Sequence, residues 1–177
     1  MRTARPFLVR AATLRKVPGT VRHEERSGLI EGLATVSVVV PGDAEVGVDL
    51  TLSSYPEGIM ATGTVTAPWR GECRRCGGPV TGRLWVSVRE RYAIAGAGAE
   101  DEDAYPMGDD VLDLEPLARD AVLLELPLAP LCAEECLGLC PQCGGNLNLE
   151  ICGCEAPADP RWSALSALRD VEGGGVA

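Results

Sequence analysis

The stretch Val46–Trp69, VGVDLTLSSYPEGIMATGTVTAPW, decides the fold. Its opening alternates Val46, Val48, Leu50 and Leu52 with Gly47, Asp49, Thr51 and Ser53. That period of two lets a β-strand bury one face and wet the other. Tyr55-Pro56-Glu57-Gly58 is a turn signal, and Gly58–Trp69 is again rich in Thr and Val. Two strands joined by so short a turn must run antiparallel. Working outward, Ala34–Val40 is β-branched and apolar before the turn Pro41-Gly42-Asp43. On the other side, Val80–Ile94 follows the turn region Gly71–Pro79 and alternates Leu84, Val86 and Val88 against Trp85, Ser87 and Arg89. Four such segments predict an antiparallel β-meander.

Flanking patterns add helices and loops. Pro6–Val9 suits a short edge strand, and Pro18-Gly19 marks a turn in a basic, poorly periodic stretch. Residues 96–110 are Gly-rich and acidic, too poor in apolar surface to order themselves, and a mobile loop is expected there. Asp113 offers a helix N-cap and Glu115-Pro116 a first turn. Leu117, Ala121 and Leu124 recur at helical spacing until Pro127, so this helix is expected to lie across one face of the sheet. A second short helix is expected after Asp159, with Pro160 at its first position and Trp162, Leu165 and Leu168 three apart, ending at Gly173-Gly174-Gly175. The expected class is α+β, in two parts. Residues 1–130 hold the sheet with its basic N-terminal segment, acidic loop and covering helix, and residues 131–177 hold a Cys-rich module and the terminal helix.

Eight cysteines fall into close pairs: Cys73/Cys76, Cys132/Cys136, Cys140/Cys143 and Cys152/Cys154. A tetrahedral zinc site needs four thiolates, and two ligands on one tight turn supply half a site already oriented. In Cys140-Pro141-Gln142-Cys143-Gly144-Gly145 the glycines let backbone N–H groups fold over the sulfurs. Segment 131–156 is too poor in apolar residues to fold by burial alone. One partition places Cys140, Cys143, Cys152 and Cys154 on one ion as a knuckle, leaving Cys73/Cys76 to meet Cys132/Cys136. A second unites Cys132, Cys136, Cys140 and Cys143, with Cys73/Cys76 facing Cys152/Cys154. An iron–sulfur reading also stands, since Cys136–Pro141 reproduces the C-x3-C-P ending of the bacterial ferredoxin run, although the spacing before it differs by one residue. A cation closed on four sides by thiolates has no position for an activated water, so one or two zinc ions here would be structural.

Composition limits the function. Among 177 residues, 46% are hydrophobic, enough for a core, and only three Trp, three Tyr and one Phe are aromatic, which argues against a broad stacking platform for nucleic acid. No apolar run approaches the roughly 20 residues of a membrane span and no secretory apolar stretch opens the chain, so a cytoplasmic protein with reduced thiols is expected. The net charge of −10 is polarised: residues 1–30 carry a net +5 and residues 97–159 a net −14. Such separation suits a partner at one end or attraction between the ends. Catalytic signals are absent. His23, beside Glu24 and Glu25, reads as a surface histidine, no phosphate-binding loop occurs, and Gly96-Ala97-Gly98-Ala99 lacks the strand and helix of a dinucleotide site. No catalytic residue and no small-molecule substrate are expected.

Four motifs in order carry a resemblance: EGIMATGTVTAPWRGECRRCGGPV (57–80), LDLEPLARDAVLLELPLAPLC (112–132), CLGLCPQCGGNLN (136–148) and DPRWSALSAL (159–168). Together they resemble the YceD family of bacterial large ribosomal RNA subunit accumulation proteins, over about residues 5–170. The resemblance implies a non-enzymatic ribosome biogenesis factor supporting 23S rRNA accumulation or maturation and large-subunit assembly, with rRNA or a pre-50S particle as partner. The family is often encoded beside the basic ribosomal protein L32. Cys73, Cys76 and Cys136 fall on the family's cysteine positions, and His in some members near Cys132 or at Cys152 and Cys154 keeps zinc-ligand chemistry. RNA phosphates would be met by Arg70, Arg74, Arg75 and Arg83, with Arg2, Arg5, Arg10, Arg15 and Lys16 beyond them. The bland alternative is that Arg74 and Arg75 only shield thiolate charge or pair with Glu72. Two other functions are open: the acidic region 97–159 as an escort for L32, or a zinc- and redox-responsive switch.

Overall fold

The computed structural model describes residues 5–94, 104–108, 110–154 and 161. Strand β4 (Val46–Tyr55) carries the alternation into space: Val46, Val48, Leu50 and Leu52 are fully buried, while Asp49 and Thr51 are exposed. It turns through Pro56-Glu57 into β5 (Gly58–Glu72), which pairs antiparallel with it from Tyr55↔Gly58 to Gly47↔Thr66. Strand β6 (Pro79–Ile94) runs back along the whole of β5, from Gly58↔Ala93 to Glu72↔Pro79. The expected meander is present, and the chain is an α+β fold with a mainly antiparallel sheet.

The remaining strands were less visible in the pattern. Strand β1 (Leu8–Arg10) and helix α1 (Ala12–Lys16) precede β2 (Val21–Gly28), which forms the outer edge beside β4. The pattern gives no strand at β2 because an edge needs few apolar side chains. Apart from Gly28 the only buried residue there is Glu24, clamped at 2.6 Å by both Arg22 and Arg26. Ala34–Val40 does not form the long strand expected; it folds back on itself, Ala34 bridging Val39 antiparallel, and β3 (Val38–Val39) pairs with Gly71 and Arg70 at the far end of β5. The Thr35 hydroxyl accepts the N–H groups of Ser37 (3.4 Å) and Val38 (3.2 Å), a side-chain turn that competes with the ladder.

The acidic segment also differs from expectation. Of 96–110, residues 96–103 and 109 lie outside the described residues, but β7 (Tyr105–Met107) adds to β6 in parallel. Strand β8 (Val111–Asp113) pairs with β1, and α2 (Glu115–Glu125) follows. Its N-cap is Leu114 instead of Asp113, yet the Asp113 carboxylate still accepts the Glu115 N–H at 3.0 Å. Leu117 and Ala121 face inward as expected, together with Ala118 and Val122; Leu124 is 84% exposed, because the buried stripe is centred toward Ala118 and Val122 and leaves Leu124 beyond its edge. Helix α2 packs on β5 and β6, and α1 on β4 and β5. One continuous core results, from Phe7 and Leu14 through the inner sheet face to Leu126. The helix expected after Asp159 lies, Arg161 aside, outside the described residues.

Tyr92 locks this layer together. Its ring is fully buried, 5.4 Å from that of Tyr105, and its hydroxyl donates to the Asp113 carbonyl at 3.1 Å. Burial raises the phenol pKa, so the hydroxyl stays a donor. Tyr92→Phe removes that bond and orphans the carbonyl, an expected loss of about 1 kcal/mol and of about 2–4 °C in Tm for a chain of this size. A thermal melt unchanged from wild type would contradict the assignment.

Candidate metal centres

The β5–β6 hairpin closes through Cys73-Arg74-Arg75-Cys76-Gly77-Gly78. Within it Cys73 N–H donates to Gly78 O (2.7 Å) and Gly77 N–H to Cys73 O (2.8 Å), with Gly77 at φ +70°. Sixty-seven positions later, Cys140-Pro141-Gln142-Cys143-Gly144-Gly145 makes the same turn. Cys140 N–H donates to Gly145 O (2.8 Å), Gly144 N–H donates to Cys140 O (2.9 Å), and Gly144 sits at φ +73°. Even the flanks agree, since Leu139 bridges Asn146 antiparallel as Glu72 pairs with Pro79. The same C-x-x-C-G-G pattern stands in the sequence at 73–78 and 140–145. Glycine is required at the fifth position of each turn because an L side chain is strained at that φ.

Each turn faces a second pair. After α2, Arg74 N–H donates to Pro130 O at 2.9 Å, and the Arg75 guanidinium donates to Glu134 O (3.1 Å) and Cys136 O (2.9 Å). These bonds seat Cys132 and Cys136 over the hairpin: Cys73 and Cys136 Sγ are 3.7 Å apart, Cys76 and Cys132 Sγ 3.6 Å. Four sulfurs around one ion at about 2.3 Å are separated by about 3.8 Å in a tetrahedron, so these spacings fit a four-coordinate cation; a disulfide would need about 2 Å. Cys140, Cys143, Cys152 and Cys154 form the second group, and within each group all four sulfurs lie inside 4.8 Å of one another. Both groups could hold a metal ion. The structure brings together the first partition; Cys136 and Cys140 fall in different groups, which separates the sulfurs that the second partition would unite.

The thiols are tuned unequally. Burial opposes ionisation of Cys73, but N–H groups of Cys132, Cys76 and Arg75 converge on its sulfur and bring its pKa down to about 6. N–H groups of Cys143 and Gln142, with the Cys152 thiol, bring Cys140 to about 6. Hydrogen bonds with neighbouring sulfurs, Cys136 first, push Cys132 up to about 12, and Cys143 does the same to Cys154. Each group thus holds one thiol poised to ionise, Cys73 or Cys140, beside two that resist ionisation, Cys76 and Cys132 in the first group and Cys152 and Cys154 in the second, whose charge a cation would compensate.

Two asparagines join the groups, and nothing in the cysteine spacing points to them. Asn148 Nδ2 donates to Cys136 Sγ (3.4 Å), and Asn148 Oδ1 accepts the Leu137 N–H (2.8 Å). Asn146 Oδ1 accepts from both Asn148 N–H (3.0 Å) and Nδ2 (2.7 Å). A residue of the second turn's exit thereby orients a sulfur of the first group, as an outer partner orients a ligand.

The arginines scatter. The Arg75 guanidinium is engaged by the Glu134 and Cys136 carbonyls. Arg74 is exposed on the turn, and Arg70 and Arg83 are exposed on the outward side of β5 and β6. Of the basic N-terminal residues, Arg2 lies outside the described residues, and Arg10 sits in β1, its carbonyl accepting from Arg22 at 2.8 Å. Arg5 precedes β1, and Arg15 and Lys16 close α1. His23 stands 3.5 Å from Asp49 on the sheet surface, with no cysteine among its contacts.

Compared with known proteins, residues 61–169 match the family described as Large ribosomal RNA subunit accumulation protein YceD. An uncharacterized protein of Mycobacterium tuberculosis H37Rv is 38% identical over 173 residues, covering 92% of this chain and 81% of that protein. An uncharacterized protein of Mycobacterium leprae is 33% identical over 170 residues, 92% of this chain and 77% of its own length. The Arabidopsis thaliana protein named Large ribosomal RNA subunit accumulation protein YCED homolog 1, chloroplastic is 33% identical over 72 residues, 40% of this chain and 22% of its own. No solved structure matches.

Proposed function

The chain belongs to the YceD family, and on that premise we propose that it is a non-enzymatic ribosome biogenesis factor. It supports accumulation of 23S rRNA and assembly of the large subunit, and two structural zinc ions hold its Cys-rich module. The observation that carries the reading is the extent of the family match, residues 61–169, which spans both C-x-x-C-G-G turns and all eight cysteines. The family's name ties that region to large-subunit rRNA. Sulfur-only donor sets favour zinc, and a site closed by four thiolates leaves no coordination position for substrate. Among the described residues no helix is long and apolar enough to cross a membrane.

Depleting the protein in its own host is expected to lower 23S relative to 16S rRNA and shrink the 50S peak on sucrose gradients. Re-expression of the wild-type chain restores both. Unchanged 23S content after depletion would overturn the reading. A second reading, escort of a basic ribosomal protein such as L32, is favoured by the net −14 of residues 97–159. It predicts co-purification of that protein at low salt, lost at high salt.

A further inference from the structure

Strand β6 presents two unlike faces. Val80, Leu84, Val86, Val88 and Tyr92 turn inward, and Arg83, Trp85, Ser87, Arg89 and Arg91 turn out and are exposed. Trp85 is 69% exposed, an unusual position for the largest apolar side chain in a protein with three of them. Its neighbour across the ladder is Thr66, and Thr64 and Thr62 stand opposite Ser87 and Arg89. By register, the same-face neighbours of Trp85 are thus Arg83 and Ser87 along β6 and Thr66, Thr64 and Pro68 across the ladder. Arg70 extends the same face on β5.

On the β5 and β6 part of this face the charge runs against the whole chain, the acids Asp49 and Glu25 lying farther across on β4 and β2. β5 and β6 contain just two carboxylates; Glu90 lies on the inward register with Tyr92, so Glu72, at the hairpin end, is the single acid among the outward positions of these strands. A chain of net charge −10 thus keeps Arg70, Arg83, Arg89 and Arg91 together on one open surface around a tryptophan. Along a strand rising about 3.3 Å per residue, Arg83 and Arg89 sit about 7 and about 13 Å to either side of Trp85. A cation on each side of an aromatic face is the arrangement that takes a base by stacking and its neighbouring phosphates by charge.

We propose that the outward face of β5 and β6 binds a single-stranded segment of RNA, with a base stacked on Trp85 and phosphates held by Arg83 and Arg89. Arg70 and the threonine row flank it. The inference rests on the ribosome-assembly reading for its physiological RNA, but the surface chemistry stands by itself. It moves the RNA contact away from Arg75, whose Nη1 already donates to carbonyls of the metal-site loop.

The test uses the full metal-loaded chain and a fluorescently labelled single-stranded oligoribonucleotide, with a duplex of the same sequence for comparison. Wild type is expected to bind the single strand better than the duplex. Trp85→Ala weakens binding about 10-fold or more, while Trp85→Phe keeps most of it. Arg83→Ala with Arg89→Ala lowers the slope of log K against log salt by about 1.4, two contacts at about 0.7 each. Because these side chains are exposed, circular dichroism of all variants should match wild type. Absence of binding by wild type, or equal binding by all variants, would overturn the proposal. The variants are also expressed in the depleted host. If depletion lowers 23S rRNA but Trp85→Ala with both arginines replaced restores it fully, this surface fails and the biogenesis reading stands. If depletion leaves 23S rRNA unchanged, the biogenesis reading fails whatever the oligonucleotide shows.

Discussion

Cys73→Ser is expected to reduce bound zinc from two ions to one and to release residues 130–138 from the β5–β6 hairpin. Cys73 is buried, receives converging N–H groups and stands 3.7 Å from Cys136. A serine hydroxyl neither ionises near neutral pH nor ligates as a soft donor, so the first centre loses a quarter of its coordination and its best thiolate. Structural zinc contributes on the order of 10 kcal/mol in small modules, and segment 130–138 has little apolar burial to add to its hydrogen bonds from Arg74, Arg75 and Asn148: Leu137 is 67% exposed and Cys132 lies at the surface. Hydrogen exchange should show fast amides at 130–138 and protection unchanged in β4. The Cys140→Ser counterpart should loosen 139–154 and, through Asn148, disturb Cys136 as well. Two metal ions retained in Cys73→Ser would contradict the ligand set.

Leu50→Ala is expected to fail in the opposite way. Leu50 is fully buried in the central part of β4, flanked in the ladder by Glu24 of β2 and Gly63 of β5. The surrounding strands cannot collapse onto the space left, so the loss should be about 3 kcal/mol and the fall in Tm about 6–12 °C. Metal content should stay at two ions per chain, since no cysteine touches this part of the sheet. A melt within 2 °C of wild type, about the shift of half a kcal/mol, would show that the β4 core is looser than its burial implies.

The contrast between these variants reflects what the sequence could and could not reveal. Strands β4, β5 and β6 were legible because one buried face imposes a period of two on Val, Leu and Thr. Strand β2 was not, since its pairing is made by backbone groups, its outward positions His23 and Glu25 are polar, and its inward register holds the Arg22–Glu24–Arg26 ion pairs in place of apolar side chains. The Ala34–Val40 run looked like a strand by propensity, and Thr35 diverted it through its hydroxyl. On α2 the apolar residues outnumber the buried positions, so Leu124 could be mistaken for a core residue. For the metal centres, spacing alone left two partitions. What decided between them is tertiary: Arg74 and Arg75 bind the 130–136 segment onto the hairpin, long-range bonds that no local pattern encodes. Asn148 gave no signal for the same reason. The Arg and Trp stripe on β6 lay in plain view as every second residue, and its meaning depended on knowing which face the helix leaves open.

The central claim is that eight thiols converge in two fours around two zinc ions. Native mass spectrometry of the freshly purified chain, paired with its visible absorption spectrum, tests it most directly. Two zinc ions per chain and a colourless sample are the predicted result; a metal-free mass, a single ion, or an iron-bearing species with visible absorption would contradict it.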